Sequence, residues 1–133
     1  MVDLDSILPH LMNSRGLIEL FGLKPRISSL NFSAMQLASE TSALQLVLTT
    51  PDVPEKIKAK GANTVGIILD FSNVTELSYK GPIKENEEVS WRIESVDSTY
   101  VSTIGSVSGV IVVHYKHLIL TNIGRRTELT FKW

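Results

Sequence analysis

Phe32–Thr49 reads FSAMQLASETSALQLVLT, and the fold turns on what this stretch does. Ser33 followed three residues later by Gln36 is a capping-box spacing. Phe32 and Leu37 are placed to staple the start of the helix. Ala34, Leu37, Ala38, Thr41, Leu44 and Leu48 recur at three- and four-residue steps and share one helical face. The opposite side (Gln36, Glu40, Ala43 and Val47) is only partly polar, the mark of a buried helix. Thr50 precedes Pro51 and is pushed out of the helical region, which ends the element. The spacing therefore predicts a central helix over 32–49. A second reading makes Ser42–Thr49 a strand, with Leu44, Leu46 and Leu48 on one face.

Upstream, Leu4–Gly22 predicts an amphipathic helix with a stripe of Leu4, Ile7, Leu8, Leu11, Met12, Ile18 and Phe21. Asp3 or Asp5 caps it, and Gly22 and Pro25 stop it. Arg26–Asn31 is short enough for a strand, and Asp52–Lys60 has the charge order of a second short helix closed by Gly61. From Asn63 onward the periodicity is that of strands. Thr64–Phe71 is a short apolar run. Asn73–Lys80 alternates up to the break at Gly81-Pro82, and Glu87–Val96 alternates up to a turn at Asp97–Ser98. Tyr100–Tyr115 is long, with bends at Gly105 and Gly109. His117–Thr121 is apolar, and Glu128–Trp133 closes the sheet. Helices first and a run of strands after them predict an α+β domain, 1–133, with its helices on one face of an antiparallel sheet.

Composition narrows the function classes. A chain of 133 residues buries about two-thirds of its unfolded surface as one domain. A formal net charge of -1 leaves no footprint for nucleic acid or an anionic membrane. The chain has no cysteine, which removes disulfides, thiolate metal sites and a cysteine nucleophile. No apolar run reaches the ~18 residues of a membrane span. Asp3 and Asp5 stand where a secretory leader would be basic. The expectation is a cytoplasmic protein.

Three stretches together resemble the hotdog fold of acyl-thioester enzymes. SAMQLASETSALQL is similar to the central-helix pattern Gly-Ala-x-x-x-Leu-Ala-Glu-Thr-Ala, with Ser33-Ala34-Met35 on its start and Glu40-Thr41 on Glu-Thr. NVTELSYKGPIKENEEVSWRIESVD resembles the strand–Pro–strand signature that follows, with Tyr79, Pro82 and Ile83 leading into Glu87-Glu88-Val89. Ser102–Thr121 resembles the last long hairpin. The chain departs from the family before the helix, where Leu30-Asn31-Phe32-Ser33 stands in place of His-Gly-Gly. The resemblance implies a sheet wrapped around the 32–49 helix and a homodimer or higher homo-oligomer. It further implies an acyl-CoA or acyl-carrier-protein substrate, thioester hydrolysis (or dehydration of a hydroxyacyl group), and no cofactor.

The chemistry of that reading needs a carbonyl polariser and a base. Amides at a helix start near Ala34–Gln36 would hold a developing oxyanion. Glu40 is the only carboxylate of the central stretch, and burial would raise its pKa toward that of a base. By resemblance Glu40 takes the acid/base or nucleophile role and Gln36 and Asn31 orient water or substrate. Ser33, Ala34 and Met35 then line the substrate site. The plainer reading leaves Glu40 at the helix edge, bonded to Gln36 or a serine. His10, His114 and His117 are too dispersed for a metal site, and His114 and His117 would face opposite sides of one strand. The rival class is a noncatalytic β-sandwich or jelly roll, such as a small virion or assembly protein. The state of Phe32–Thr49 separates the two.

Overall fold

The computed structural model describes residues 7–21, 27–54 and 64–126. A short 3-10 helix, Leu8–His10, leads into a two-residue strand, β1 (Leu11–Met12), and a helix, α1 (Arg15–Phe21). Eight strands follow: β2 (Leu30–Ala38), β3 (Ala43–Thr50), β4 (Thr64–Ser72), β5 (Glu76–Lys80), β6 (Glu88–Val96), β7 (Thr99–Gly105), β8 (Val110–Tyr115) and β9 (His117–Arg126). They form one nine-stranded sheet in the order β1-β9-β4-β3-β2-β6-β7-β8-β5.

The central stretch is a β-hairpin, which corrects the predicted helix over 32–49 and with it the α+β hotdog fold. The β-rich alternative is the better description. Ser39-Glu40-Thr41-Ser42 is the turn: Ser39–Thr41 makes a 3-10 turn, the Thr41 hydroxyl donates to the Ala38 carbonyl, and Ser42 takes φ 51°. Four small or polar residues in a row carry turn chemistry, and local helix propensity is weak enough for packing to override.

The helical spacing has a specific origin. Phe32 pairs with Leu48, Met35 with Leu46 and Leu37 with Leu44, and the register slips at Ser33 between Phe32 and Ala34. One extra residue in a strand reverses which side chains face inward. The inward positions Leu30, Phe32, Met35 and Leu37 therefore step by two, three and two. A step of three inside a strand imitates a helix. β9 repeats the device, because Leu69 pairs with Leu120 but Ile68 with Asn122, which leaves Thr121 as the extra residue. Its hydroxyl donates to Asp70 Oδ2 at 2.6 Å. The other reading of Ser42–Thr49 holds: Leu44, Leu46 and Leu48 share one face of β3 and each is fully buried.

The predicted helix over Leu4–Gly22 is also corrected within the described residues. Asn13 adopts φ 61°, and its Nδ2 donates to the Leu120 carbonyl at 3.1 Å. The 3-10 helix and β1 end there, before α1 begins. Asp3, Asp5, Gly22 and Pro25, the helix predicted over 52–60 beyond Pro54, and Glu128–Trp133 lie outside the described residues. The turn at Asp97–Ser98 and the strand beside it stand as read.

The sheet folds over so that its two halves face each other across one core. Phe71 on β4 lies edge-on to Tyr115 on β8 at 4.8 Å and 6.2 Å from Trp91 on β6, although these strands stand far apart in the sheet order. Leu44, Leu46, Leu48, Val65, Leu69 and Leu118 line one half, and Ile104, Ile111 and Val113 the other. Each such side chain contributes about 1.5–3 kcal/mol by leaving water. Gly109 lies just before β8, where β8 starts alongside the end of β5. A side chain there would collide with the Lys80 carbonyl and the Gly81 Cα, a close approach that needs glycine.

One polar knot lies inside the core. Trp91 Nε1 donates to the Ser102 hydroxyl at 3.0 Å, and Ser102 Oγ and the Tyr115 hydroxyl are 2.9 Å apart. Burial raises the Tyr115 phenol above its ordinary value, and the Ser102 bond pulls it partly back. Ser102→Ala should strand two buried donors and cost about 1–3 kcal/mol, read as a lower midpoint in thermal or urea unfolding.

A second polar clasp fastens the chain entering β2 to the end of β3. Asp52 accepts the Ser28 amide at 2.6 Å, the Ser28 hydroxyl at 2.8 Å and the Thr50 hydroxyl at 3.3 Å. Burial alone would raise this carboxyl, but the bonds from Ser28, Ser29 and Thr50 outweigh it and hold it below the ordinary value. A carboxyl with a depressed folded pKa stabilises above its unfolded pKa of about 3.9, and that contribution is lost as pH falls through the folded value. Asp52→Asn should therefore lower the unfolding midpoint at neutral pH, by about 1 kcal/mol, and change it least at the acid end of a pH series.

Candidate interaction groove

At one end of the folded sheet, Pro9, His10, Met12, Ser98, Tyr100, Lys116 and His117 line a groove of about 440 Å³. Each wall has a structural cause. Pro9 sits in the first turn of the 3-10 helix, where its missing N–H costs nothing and its fixed φ helps. β1 then pairs in parallel with β9, Leu11 with Leu118 and Met12 with Ile119. Leu11 turns into the core and Met12 outward, with 51% of its surface exposed. On the far wall, Asp97 takes φ 56° in the β6–β7 turn, which sets Ser98 at the rim and Tyr100 just inside β7. Lys116 separates β8 from β9, and its amide bonds to the Ser72 carbonyl at 3.1 Å. His117 opens β9.

The groove is joined to the core through its rings. His10 stands edge-on to Tyr100 at 4.9 Å, and Tyr100 lies 6.1 Å from Tyr115. Edge and tilted ring pairs at these separations are favourable beyond their area. Tyr100 is therefore half-buried and backed by the fully buried Tyr115. Among the described residues the lining offers an ammonium group, two imidazoles, a phenol and a hydroxyl, and no carboxylate. It is equipped to grip a polar or anionic surface with an aromatic centre.

The residues expected from the sequence to form a site lie elsewhere, spread along the first hairpin. Asn31 is half-buried, between Thr49 of β3 and Glu88 of β6. Ser33 is buried at the bulge, and Ala34 and Met35 are half-buried. Gln36 is exposed along β2, and Glu40 is exposed in the turn. No helix begins at Ala34–Gln36, so the amide cradle for an oxyanion is not formed. His114 and His117 sit on different strands, and His114 lies 3.8 Å from Glu76 across β5 and β8. Among the described residues no group of three or more histidine, aspartate or glutamate side chains is placed to hold a metal ion, and no helix is long and apolar enough to cross a membrane.

Sequence reasoning missed the groove. His10 and His117 were too far apart in the chain to associate, and only the parallel pairing of β1 with β9 brings their segments together. Tyr100 carried the one available signal, as an aromatic residue directly after a turn.

Residues 13–124 match the family model of immunity protein 50 (Imm50). No curated protein and no solved structure matches the chain. The match is to an immunity protein family and not to a hotdog thioesterase family. It overturns the acyl-thioester hydrolase and dehydratase readings, together with the acyl-CoA and lipid-metabolism setting they implied.

The groove makes a stability forecast of its own. Tyr100→Phe keeps both ring contacts and should melt within about 0.5 kcal/mol of the unaltered chain. Tyr100→Ala uncovers Tyr115 and should cost about 2–4 kcal/mol. Equal destabilisation by both would show that the phenol oxygen, and not the ring stack, holds this wall.

Proposed function

Because the chain belongs to the immunity protein 50 family, we propose that it neutralises a protein toxin by binding it stoichiometrically, without chemistry, and that the groove around His10 and Tyr100 is the centre of the contact. The match over residues 13–124 carries this reading. The groove supports it in three ways. Tyr100 is held by packing against Tyr115, so little freedom remains to be lost on binding. Exposed Met12 beside it supplies adaptable apolar contact. Lys116, His10 and His117 present cationic or hydrogen-bonding tips to a partner's carboxylates.

Protection from a toxin calls for tight binding, and a nanomolar complex needs about 12 kcal/mol. A stable interface covers about 800 Å² on each partner, while a few aromatic and cationic residues carry most of the energy. Seven lining residues are enough for the energetic centre but too few for the whole contact. The β6–β7 turn and the 3-10 helix flank the groove and supply its rim.

The test is co-expression with candidate protein toxins that arrest growth, followed by calorimetry of the purified pair. The expected result is restored growth and a one-to-one complex. Lys116→Glu, on an exposed side chain, should slow association and weaken binding by about tenfold at low salt, with a smaller effect at high salt. Tyr100→Ala should weaken it by ten- to a hundredfold, on the order of 1–3 kcal/mol. Protection at a small fraction of the toxin's concentration would point to catalysis and sink the stoichiometric reading. Full affinity in both variants would move the contact away from the groove.

A further inference from the structure

The outer edge of β2 is only half used. Leu30 and Asn31 pair with Val89 and Glu88 of β6, and the Phe32 amide and carbonyl bond to Glu87 and Asn86. Beyond the bulge at Ser33, Ala34–Ala38 pairs with β3 on one side, and among the described residues no strand pairs with the other. Among the described residues these five residues of backbone edge have no second strand beside them.

Open edges are normally blunted by charge, proline or brevity. The other two edges of this sheet conform. β1 is two residues long, and β5 carries exposed Glu76 and Lys80. The free part of β2 reads Ala34-Met35-Gln36-Leu37-Ala38, with no charge, proline or glycine. Leu37 lies on the same face as Leu44, opposite which it pairs, yet 53% of its surface is exposed while Leu44 is fully buried. The inner face of the sheet runs on past its cover at this point.

The segment also complements itself. Antiparallel pairing of two copies about a two-fold axis at Gln36 sets Ala34 against Ala38, Met35 against Leu37 and Gln36 against Gln36. Small residues face small, long apolar residues face long apolar, and no like charges meet. An isologous contact requires this self-matching, and directly opposed side chains are the unit that stabilises a strand pair. Pairing stops where Phe32 is already bonded to the 86–87 turn, so the contact is short and the dimer weak by the standard of permanent interfaces.

We propose that a second copy of this chain adds to the Ala34–Ala38 edge of β2, forming a two-fold antiparallel dimer centred on Gln36, through residues other than those that line the groove. The dimer does not depend on the toxin-binding reading, and either can fail without the other.

Because the chain has no cysteine, a single introduced thiol reports its own neighbours. Side chains directly opposed across an antiparallel pair have Cβ atoms about 4.5–5.5 Å apart, close to disulfide reach. Gln36→Cys should oxidise to a covalent dimer, while Lys80→Cys on the β5 edge should remain monomeric. Sedimentation of the unaltered chain should show a concentration-dependent dimer, weakened about tenfold or more by Leu37→Lys, with the melting curve of the monomer kept as the fold control. Hydrogen exchange at the Ala34–Ala38 amides that point away from β3 should slow as concentration rises. A monomer at every concentration with no Gln36→Cys crosslink would overturn the proposal. So would crosslinking through Lys80→Cys instead. Protection of those amides that is independent of concentration would assign the edge to the chain's own remaining residues. Protection seen only with toxin bound would assign it to the toxin. Either result excludes the dimer.

Discussion

Phe71 is the side chain on which the two halves of the sheet meet. It projects from β4 and reaches both Tyr115 on β8 and Trp91 on β6, so one ring joins strands that the hydrogen-bond ladder keeps far apart. A nine-stranded sheet left flat would expose one apolar face to water. Folding the sheet over buries that face against itself, and the described residues need no long helix to cover it. Dense packing at such a meeting point leaves little room for adjustment. The polar atoms it encloses must be satisfied on the spot, and the Trp91–Ser102–Tyr115 knot does so with a single serine hydroxyl shared between two aromatic groups.

The same contact shapes the surface. Tyr115 is at once the partner of Phe71 in the core and the backing of Tyr100 in the groove, and Tyr100 in turn faces His10. A line of rings thus runs from the centre of the molecule to the groove. Binding surfaces lose less on association when their side chains are already held, and this arrangement holds Tyr100 between Tyr115 below and His10 beside it. The opposite case is β2, whose outer half extends past the core and keeps Leu37 exposed. One end of the sheet presents a rigid, polar and aromatic concavity. Another part presents a backbone edge that no described strand pairs, beside apolar side chains.

The hairpin at 30–50 shows how local pattern misleads. Ser33 and Gln36 have the spacing of a helix cap, and alanine, leucine, methionine and glutamine all tolerate a helix. The bulge at Ser33 supplies the three-residue step that completes the imitation. The first of the three stretches that resemble the hotdog fold is this one, so the hairpin removes the central helix from the fold and the function that the resemblance implies. Nothing within eighteen residues weighs the ladders that β2 and β3 form with β6 and β4. Those ladders decide the matter, because a central strand satisfies its backbone on both sides while burying Leu44, Leu46 and Leu48.

The sequence by itself carried part of the later strands: the alternation along Glu88–Val96, the turn at Asp97–Ser98 and the apolar run of β4 stand in the structure, because period-two burial and turn chemistry are written residue by residue, whereas Tyr100–Tyr115, read as one long element, is two strands joined by a turn that ends at Gly109. It also settled what composition can settle, the lack of thiol chemistry and the near-neutral charge. Only the tertiary structure decided that Phe32–Thr49 is a hairpin, that Leu4–Gly22 breaks at Asn13, and that Pro9, His10, Met12, Tyr100 and His117 share one groove. Each depends on partners distant in the chain: Leu48 and Leu46 for the bulged strand, the Leu120 carbonyl for Asn13, β9 for β1. A local window records which residues prefer water and which do not. It holds no record of which distant backbone will satisfy their hydrogen bonds, and in this protein that choice set both the fold and the place where a partner would be met.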